Sequence, residues 1–215
     1  MKILALEFAS ERRAVAVVVE GHLHGDAIEI GGRTTRSCAL IERALHQAGL
    51  EREAIECIAV GLGPGSYTGI RAAIAVAQGW QLGRDVRLLG ISTIDCLVAQ
   101  VQATGIAGRL YVAIDAQRNE FYLAGYQLSE KEASQSEALH LASLGEVQKK
   151  ALLGTLLIWP ELQAVFPQGK VLAPDAAMLG KLAAVRDDFV GGEKLEPIYL
   201  REAAFVKAAP PRLIP

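Results

Sequence analysis

An α/β fold built from two related halves is what this sequence predicts, and three observations carry it. Short runs rich in valine, isoleucine and leucine alternate with stretches whose apolar residues recur every three or four positions, as strands alternating with helices do. The segment Lys2–Glu7 aligns with Leu110–Asp115, each an apolar run ending on an acid, and in both a polar turn (Ser10–Arg13; Gln117–Glu120) leads into another apolar run. Between these two openings, Ile58–Arg71 reads as strand, glycine turn, helix. At ~150 residues per typical domain, a 215-residue chain is one large domain or two small, closely related ones. Hydrophobic residues make up 51% and charged residues 21%, which supports a substantial core and excludes disorder for most of the chain.

Ile3–Leu6 and Ala14–Val19, joined by the turn Ser10–Arg13, predict a β-hairpin, with a third strand at Leu23–Ile30. Gly31-Gly32 breaks that strand. From about Thr35, Cys38, Ile41, Leu45 and Ala48 share one helix face that ends at Gly49. Ile55–Val60 is the next strand, Ile70–Leu82 a second helix, Val86–Leu89 a strand and Thr93–Ala103 a third helix. Gly105–Gly108 marks the boundary, dividing the chain into 1–106 and 107–201. The repeated opening favours duplication, although any two buried hairpins share such a pattern. In the second half, Ser129–Ser136 reads as a loop, Leu152–Trp159 suits either strand or helix, and Asp175–Val185 is helical with Pro174 at its start. Residues 202–215 hold three of the eight prolines and no periodicity, which predicts a disordered or docking tail.

Several chemistries are excluded early. Acidic residues number 24 and basic residues 22, so no large basic surface for phosphate backbones is expected and direct tRNA binding is disfavoured. Cys38, Cys57 and Cys96 stand alone, without a CxxC pair, which fits a reducing cytoplasm and no disulfide framework. Glu7 interrupts the first apolar run before a signal-peptide core forms, and no stretch approaches the ~20 apolar residues of a membrane span. His22, His24, His46 and His140 are scattered without HExxH spacing, so no metal site is read.

The glycine turn comprises Gly63, Pro64, Gly65, Ser66, Tyr67, Thr68, Gly69 and Arg71. Such a turn can cradle phosphate on backbone N–H groups at a helix N-terminus. The alternative is that its glycines permit positive φ while Ser66 or Thr68 caps the helix. The named phosphate loops fit poorly: Ser66 stands where a dinucleotide fingerprint needs glycine, and no lysine lies between Lys2 and Lys131 for a Walker loop. Ser66 also lacks the flanking glycines of a nucleophile elbow. Glu7 and Asp115, ending equivalent strands, read either as paired carboxylates facing a cleft between the halves or as ordinary turn acids. The second helix has only Arg71, Gln78 and Gln81 as strongly polar side chains, so it must be covered on more than one side, by its own fold or by another subunit.

The string Gly61-Leu-Gly-Pro-Gly-Ser-Tyr-Thr-Gly-Ile-Arg71 is followed by Ala77-Gln78-Gly79, Gly90-Ile-Ser-Thr93, Ile114-Asp-Ala116 and Pro197-Ile-Tyr-Leu-Arg201. In this order the pieces resemble the TsaB family, also called YeaZ, over residues 2–201; the first string is specific and the others are weak singly. The resemblance implies the two-lobed actin-like ATPase fold, a duplicated ribonuclease H-like unit with the second lobe reduced. Its members are non-catalytic partners of a TsaD-type catalytic subunit and, with a TsaE-type ATPase, support transfer of a threonylcarbamoyl group to the adenosine beside the anticodon of ANN-decoding tRNAs. Older descriptions of relatives as glycoprotease-like come from the catalytic paralogue, whose HxxxH metal pair is missing from this sequence.

On the same resemblance, the first two helices pair with the catalytic subunit or, alone, with a second copy. This places Leu40, Ala44, Ala72, Ala73, Val76, Ala77 and Trp80 at an interface, brings tRNA in only through the complex, and puts any ATP or ADP at the partner interface. Glu7-Phe-Ala-Ser10 departs from the family's Asp-Thr-Ser-Thr-like turn, and Arg36-Ser37 from its usual His-Ser, which weakens the case for nucleotide at the first loop. The competing expectation is a small actin-fold phosphotransferase that uses Glu7 and Asp115 around a magnesium nucleotide on its own.

Overall fold

In a computed structural model that describes residues 1–31 and 36–200, strands and helices succeed one another in two rounds. The first round is β1 (Lys2–Glu7), β2 (Arg12–Val19), β3 (His22–Ile30), α1 (Ser37–Ala48), β4 (Cys57–Gly61), α2 (Tyr67–Gly83), β5 (Arg87–Ile91) and α3 (Thr93–Gln102). The second is β6 (Gly108–Asp115), β7 (Glu120–Leu128), β8 (Ala133–Ser143), α4 (Leu144–Ala151), β9 (Thr155–Ile158), β10 (Lys170–Val171) and α5 (Ala176–Ala184). The expected helix start at Thr35 and the tail 202–215 lie outside the described residues.

The first sheet runs β3-β2-β1-β4-β5 and the second β8-β7-β6-β9-β10, the same order built twice. In each, two antiparallel hairpin pairings are followed by parallel addition of the next strand to the first one. Two such sheets in series form the two-lobed α/β fold that the sequence predicts. The local detail repeats as well. Glu7 Oε1 accepts the N–H of Ala9 at 2.9 Å, and Asp115 Oδ1 accepts the N–H of Gln117 at 2.7 Å, so each acid closes the turn after its strand.

Strand alternation sends Leu4, Leu6, Val15, Val17, Ile58 and Val60 to one face of the first sheet, where α1 and α2 cover them with Leu40, Ala44, Ile70 and Ala73. Ile3, Ala5, Ala16, Val18 and Ala59 point the other way, onto Leu179 and Ala183 of α5. Here a sequence expectation is corrected: α5, assigned by position to the second half, packs on β1 and β2 of the first sheet. Gly180 permits this close approach, since a methyl group there would crowd the Val18 side chain.

Other elements also differ from expectation. The loop expected at 129–136 is shorter, because Ala133, Ser134 and Gln135 already pair with β7; the segment is polar because β8 is an edge strand on which Ser134–Ser136 are exposed. Leu152–Trp159 resolves into a turn and the strand β9. The helix α4 has no counterpart among the expected elements, since its eight residues bury only Val147 and offer almost no apolar stripe. Its signal was Ser143-x-x-Glu146, in which Ser143 Oγ accepts the Glu146 N–H at 3.3 Å, the first half of a capping box.

Candidate functional site

The site starts where β4 ends. Gly63 (φ 85°) and Gly65 (φ 151°) turn the chain through a cis Gly63–Pro64 bond, and Ser66 becomes the N-cap of α2, its Oγ accepting the Gly69 N–H at 3.4 Å. The loop is wired to its surroundings through its own backbone. Gly63 donates its N–H to Thr93 Oγ1 (3.2 Å) and accepts the Thr93 N–H (2.9 Å), while Ser66 donates its N–H to the Ala9 carbonyl (2.6 Å). The amides of residues 63, 66 and 69 are engaged inside the chain, and Ser66 caps the helix, so this loop serves as a helix-capping turn.

Beneath the loop lies Glu7, fully buried. Its Oε2 accepts the Thr93 hydroxyl at 3.0 Å, and Gly61 has no side chain because a Cβ there would enter the Glu7 carboxylate. Lost hydration raises Glu7 to about 7; the Ala9 and Thr93 bonds and the Arg13 charge oppose this but are outweighed. Arg13, 4% exposed, donates from Nη2 to Ser66 Oγ at 3.0 Å, and its Nη1 has no hydrogen-bond partner. Burial lowers the Arg13 pKa, against the opposing charges of Glu7 and Glu11. Phe8, Ala9 and Ser10 of the first turn are all buried, and Gly65 lies against the Ala9 carbonyl and the Trp159 ring of the second half.

Glu7 and Asp115 do not act as a pair. Glu7 is locked in the core at the loop, whereas Asp115 is exposed and holds Gln117 through both carboxylate oxygens (2.7 and 2.9 Å). Of the two alternatives for these acids, the hydrogen bonds match the second: they are equivalent in the repeat and each closes its own turn.

Past the cap, α2 presents two contrasting sides. Ile70, Ala73, Ile74 and Ala77 point into the core. Tyr67, Arg71, Ala75, Gly79 and Gly83, four residues apart, form an outward row, and Leu82 beside it is 90% exposed. The polar stripe is covered from within the chain: Gln78 Nε2 donates to the Gly192 carbonyl and Gln81 Oε1 accepts the Gly192 N–H, both at 2.8 Å. At the N-terminal end Tyr199 stacks on Tyr67 (5.5 Å between ring centroids) and the Arg71 guanidinium lies 4.3 Å from the Tyr67 ring centre.

This geometry revises the expected interface residues. Leu40, Ala44, Ala73 and Ala77 have no exposure and belong to the chain's own core, because the small and apolar positions of both helices are used on the sheet. Ala72, Val76 and Trp80 are half-buried, Val76 and Trp80 packing on that core. The outward side of α1 is instead polar, with Glu42, Arg43, His46 and Gln47 around Ala39. All three cysteines are free; burial pushes Cys57 up to about 11 and Cys96 further upward.

A family model described as TsaD, tRNA N6-adenosine threonylcarbamoyltransferase, matches residues 34–194. The "tRNA threonylcarbamoyladenosine biosynthesis protein TsaB" of Escherichia coli (strain K12) is 30% identical over 229 residues, covering 98% of this chain and 99% of that protein. The chain belongs to the TsaB/YeaZ family. A protein with the same name from Haemophilus influenzae is 30% identical over 125 residues, 58% of this chain and 53% of its own length. Among solved structures, YeaZ from Pseudomonas aeruginosa superposes with a TM-score of 0.76 at 25% identity, covering 93% of this chain and 99% of that one. A second Pseudomonas aeruginosa structure, described as an uncharacterized protein with similarity to peptidase YEAZ, gives 0.77 at 28% identity with the same coverage. No helix among the described residues is long and apolar enough to cross a membrane.

Apart from this site, the second half holds a grouping that the sequence reading missed. Glu137 and His140 of β8 meet Glu146 of α4, and these are the residues of metal-ligating type that converge among the described residues. His140 looked isolated because Glu146 comes from a helix that was not expected.

Proposed function

We propose that this chain is the non-catalytic scaffold and activator of the assembly that transfers a threonylcarbamoyl group to the adenosine next to the anticodon of ANN-decoding tRNAs. It serves by docking α2, with the flank of α1, against a TsaD-type catalytic subunit, and by pairing with a second copy when alone. A TsaE-type ATPase completes the assembly, nucleotide is held only with the partner in place, and tRNA is met through the complex.

The observation that carries this reading is the pair Gly79 and Gly83. Gly79, inside the helix, costs ~1 kcal/mol relative to alanine, yet a Cβ there, or at Gly83 where α2 ends, would meet nothing within 4 Å. The chain's own packing does not call for these glycines, and they lie in one row with Ala75 beside the exposed Leu82. A smooth row of this kind suits the close approach of another backbone.

The test is the double variant Ala75→Glu, Leu82→Glu, with sedimentation velocity for self-association and co-purification with a TsaD-type subunit. Both associations should be lost while the unfolding midpoint stays within a degree or two. Unaltered association refutes the assignment of this face. Calorimetry with magnesium ATP on the isolated chain separates the competing phosphotransferase reading, which requires saturable binding without a partner.

A further inference from the structure

A cluster in the second half, far in sequence from the glycine turn, has no place in the docking reading. Glu137 and His140 are three apart on β8, so regular alternation would send them to opposite faces. The register against β7 slips on both sides of Gly125, where Leu123 faces His140 and Gly125 faces Glu137. This bulge brings the two side chains to one face, and Gly125 gives Glu137 room, since a Cβ there would sit 2.9 Å from the Glu137 Cβ. Glu146 joins them from the first turn of α4.

The imidazole settles which atoms face each other. His140 Nδ1 lies 2.9 Å from the Ala138 carbonyl oxygen, which can only accept, so Nδ1 carries a hydrogen. In the neutral ring Nε2 then turns a lone pair toward Glu146 Oε1 at 3.0 Å and Glu137 Oε1 at 3.8 Å. Three acceptors converge, all within 4.8 Å of one another, and something positive must sit among them. Zinc ligands about 2.05 Å from a tetrahedral ion lie roughly 3.3 Å apart, close to this spacing. A ligating histidine commonly donates its other N–H to a backbone carbonyl, as His140 does to Ala138.

We propose that Glu137, His140 and Glu146 form a zinc site that fastens α4 to the edge strand β8, with the fourth position open to water. One imidazole with two carboxylates suits zinc, whereas magnesium and calcium call for more oxygen ligands. Lys150 tunes the site. Its Nζ pairs with Glu137 Oε2 at 2.5 Å, leaving Oε1 for the ion, and its charge opposes the ion's. A proton on Nε2 is the competing occupant of the gap, and it predicts no zinc affinity.

The experiment is calorimetric titration of zinc chloride into the chelator-treated full chain at pH 7.5, with thermal unfolding as a second readout. One ion should bind per chain at micromolar zinc and raise the unfolding midpoint. His140→Ala and Glu146→Gln should each weaken binding at least tenfold and remove the zinc-dependent rise, while Lys150→Met should tighten binding several-fold. Absence of saturable binding overturns the proposal. So does binding that persists unchanged in His140→Ala, which would place the ion elsewhere, for instance near Cys38.

Discussion

Glu7→Gln removes a buried carboxyl at the junction while keeping its shape. In the folded chain Glu7 titrates near 7, against 4.5 for an ordinary glutamate, because the cost of stripping water from the charge exceeds what the Ala9 N–H, the Thr93 hydroxyl and Arg13 return. Below 4.5 both folded and unfolded chains carry the proton. As pH rises from there toward 7, the unfolded chain ionises first, so stability falls; above about 7 both have ionised and the loss is complete. At about 1.4 kcal/mol per tenfold difference in proton affinity, the interval between the two values amounts to on the order of 3 kcal/mol. Glutamine cannot ionise, so the variant should not show this loss. Urea unfolding of both proteins at steps from pH 4.5 to 8.5 reads the difference directly, since other titrating groups cancel in the comparison. Parallel stability curves would refute the argument and mean that water reaches Glu7.

Thr93→Val deletes the hydroxyl that accepts from Gly63 and donates to Glu7; an unpaired buried N–H should cost ~1–3 kcal/mol in urea unfolding. Gly69→Ala would raise helix propensity, yet the added methyl meets the Phe8 carbonyl and the Arg13 guanidinium, so calorimetry should show a loss of ~1–3 kcal/mol or more. Gly79→Ala, with open space at its Cβ, should instead stabilise the isolated chain by ~0.5–1 kcal/mol and weaken its association in sedimentation. A stabilised variant that associates normally would argue against the α2 docking face.

Elements with their own periodicity or punctuation were readable. β1, β2 and β4 are short apolar runs, α1 ends on Gly49 at φ 63°, and α2 is capped by Ser66, one of the two caps expected, although it begins at Tyr67 rather than Ile70. Elements defined by what they pair with were not: β8 is polar and exists because β7 offers it a ladder, and α4 buries a single residue. The glycine turn was found at once, but whether its amides point outward or are consumed depends on Thr93 and Ala9, which only the fold brings near. Four of the expected interface residues belong to the chain's own core for a related reason: helical period locates an apolar stripe, and the stripe of α2 faces its own sheet, which leaves Ala75, Gly79 and Leu82 on the exposed side.

The placement of α5 has a consequence for synthesis. A nascent chain that has released only its first hundred or so residues would expose Ile3, Ala5, Ala16 and Val18 to water, because the helix that shelters them is made only about 75 residues later. Cutting the polypeptide between the halves should therefore yield an N-terminal fragment that aggregates, and supplying the C-terminal fragment in trans should rescue it.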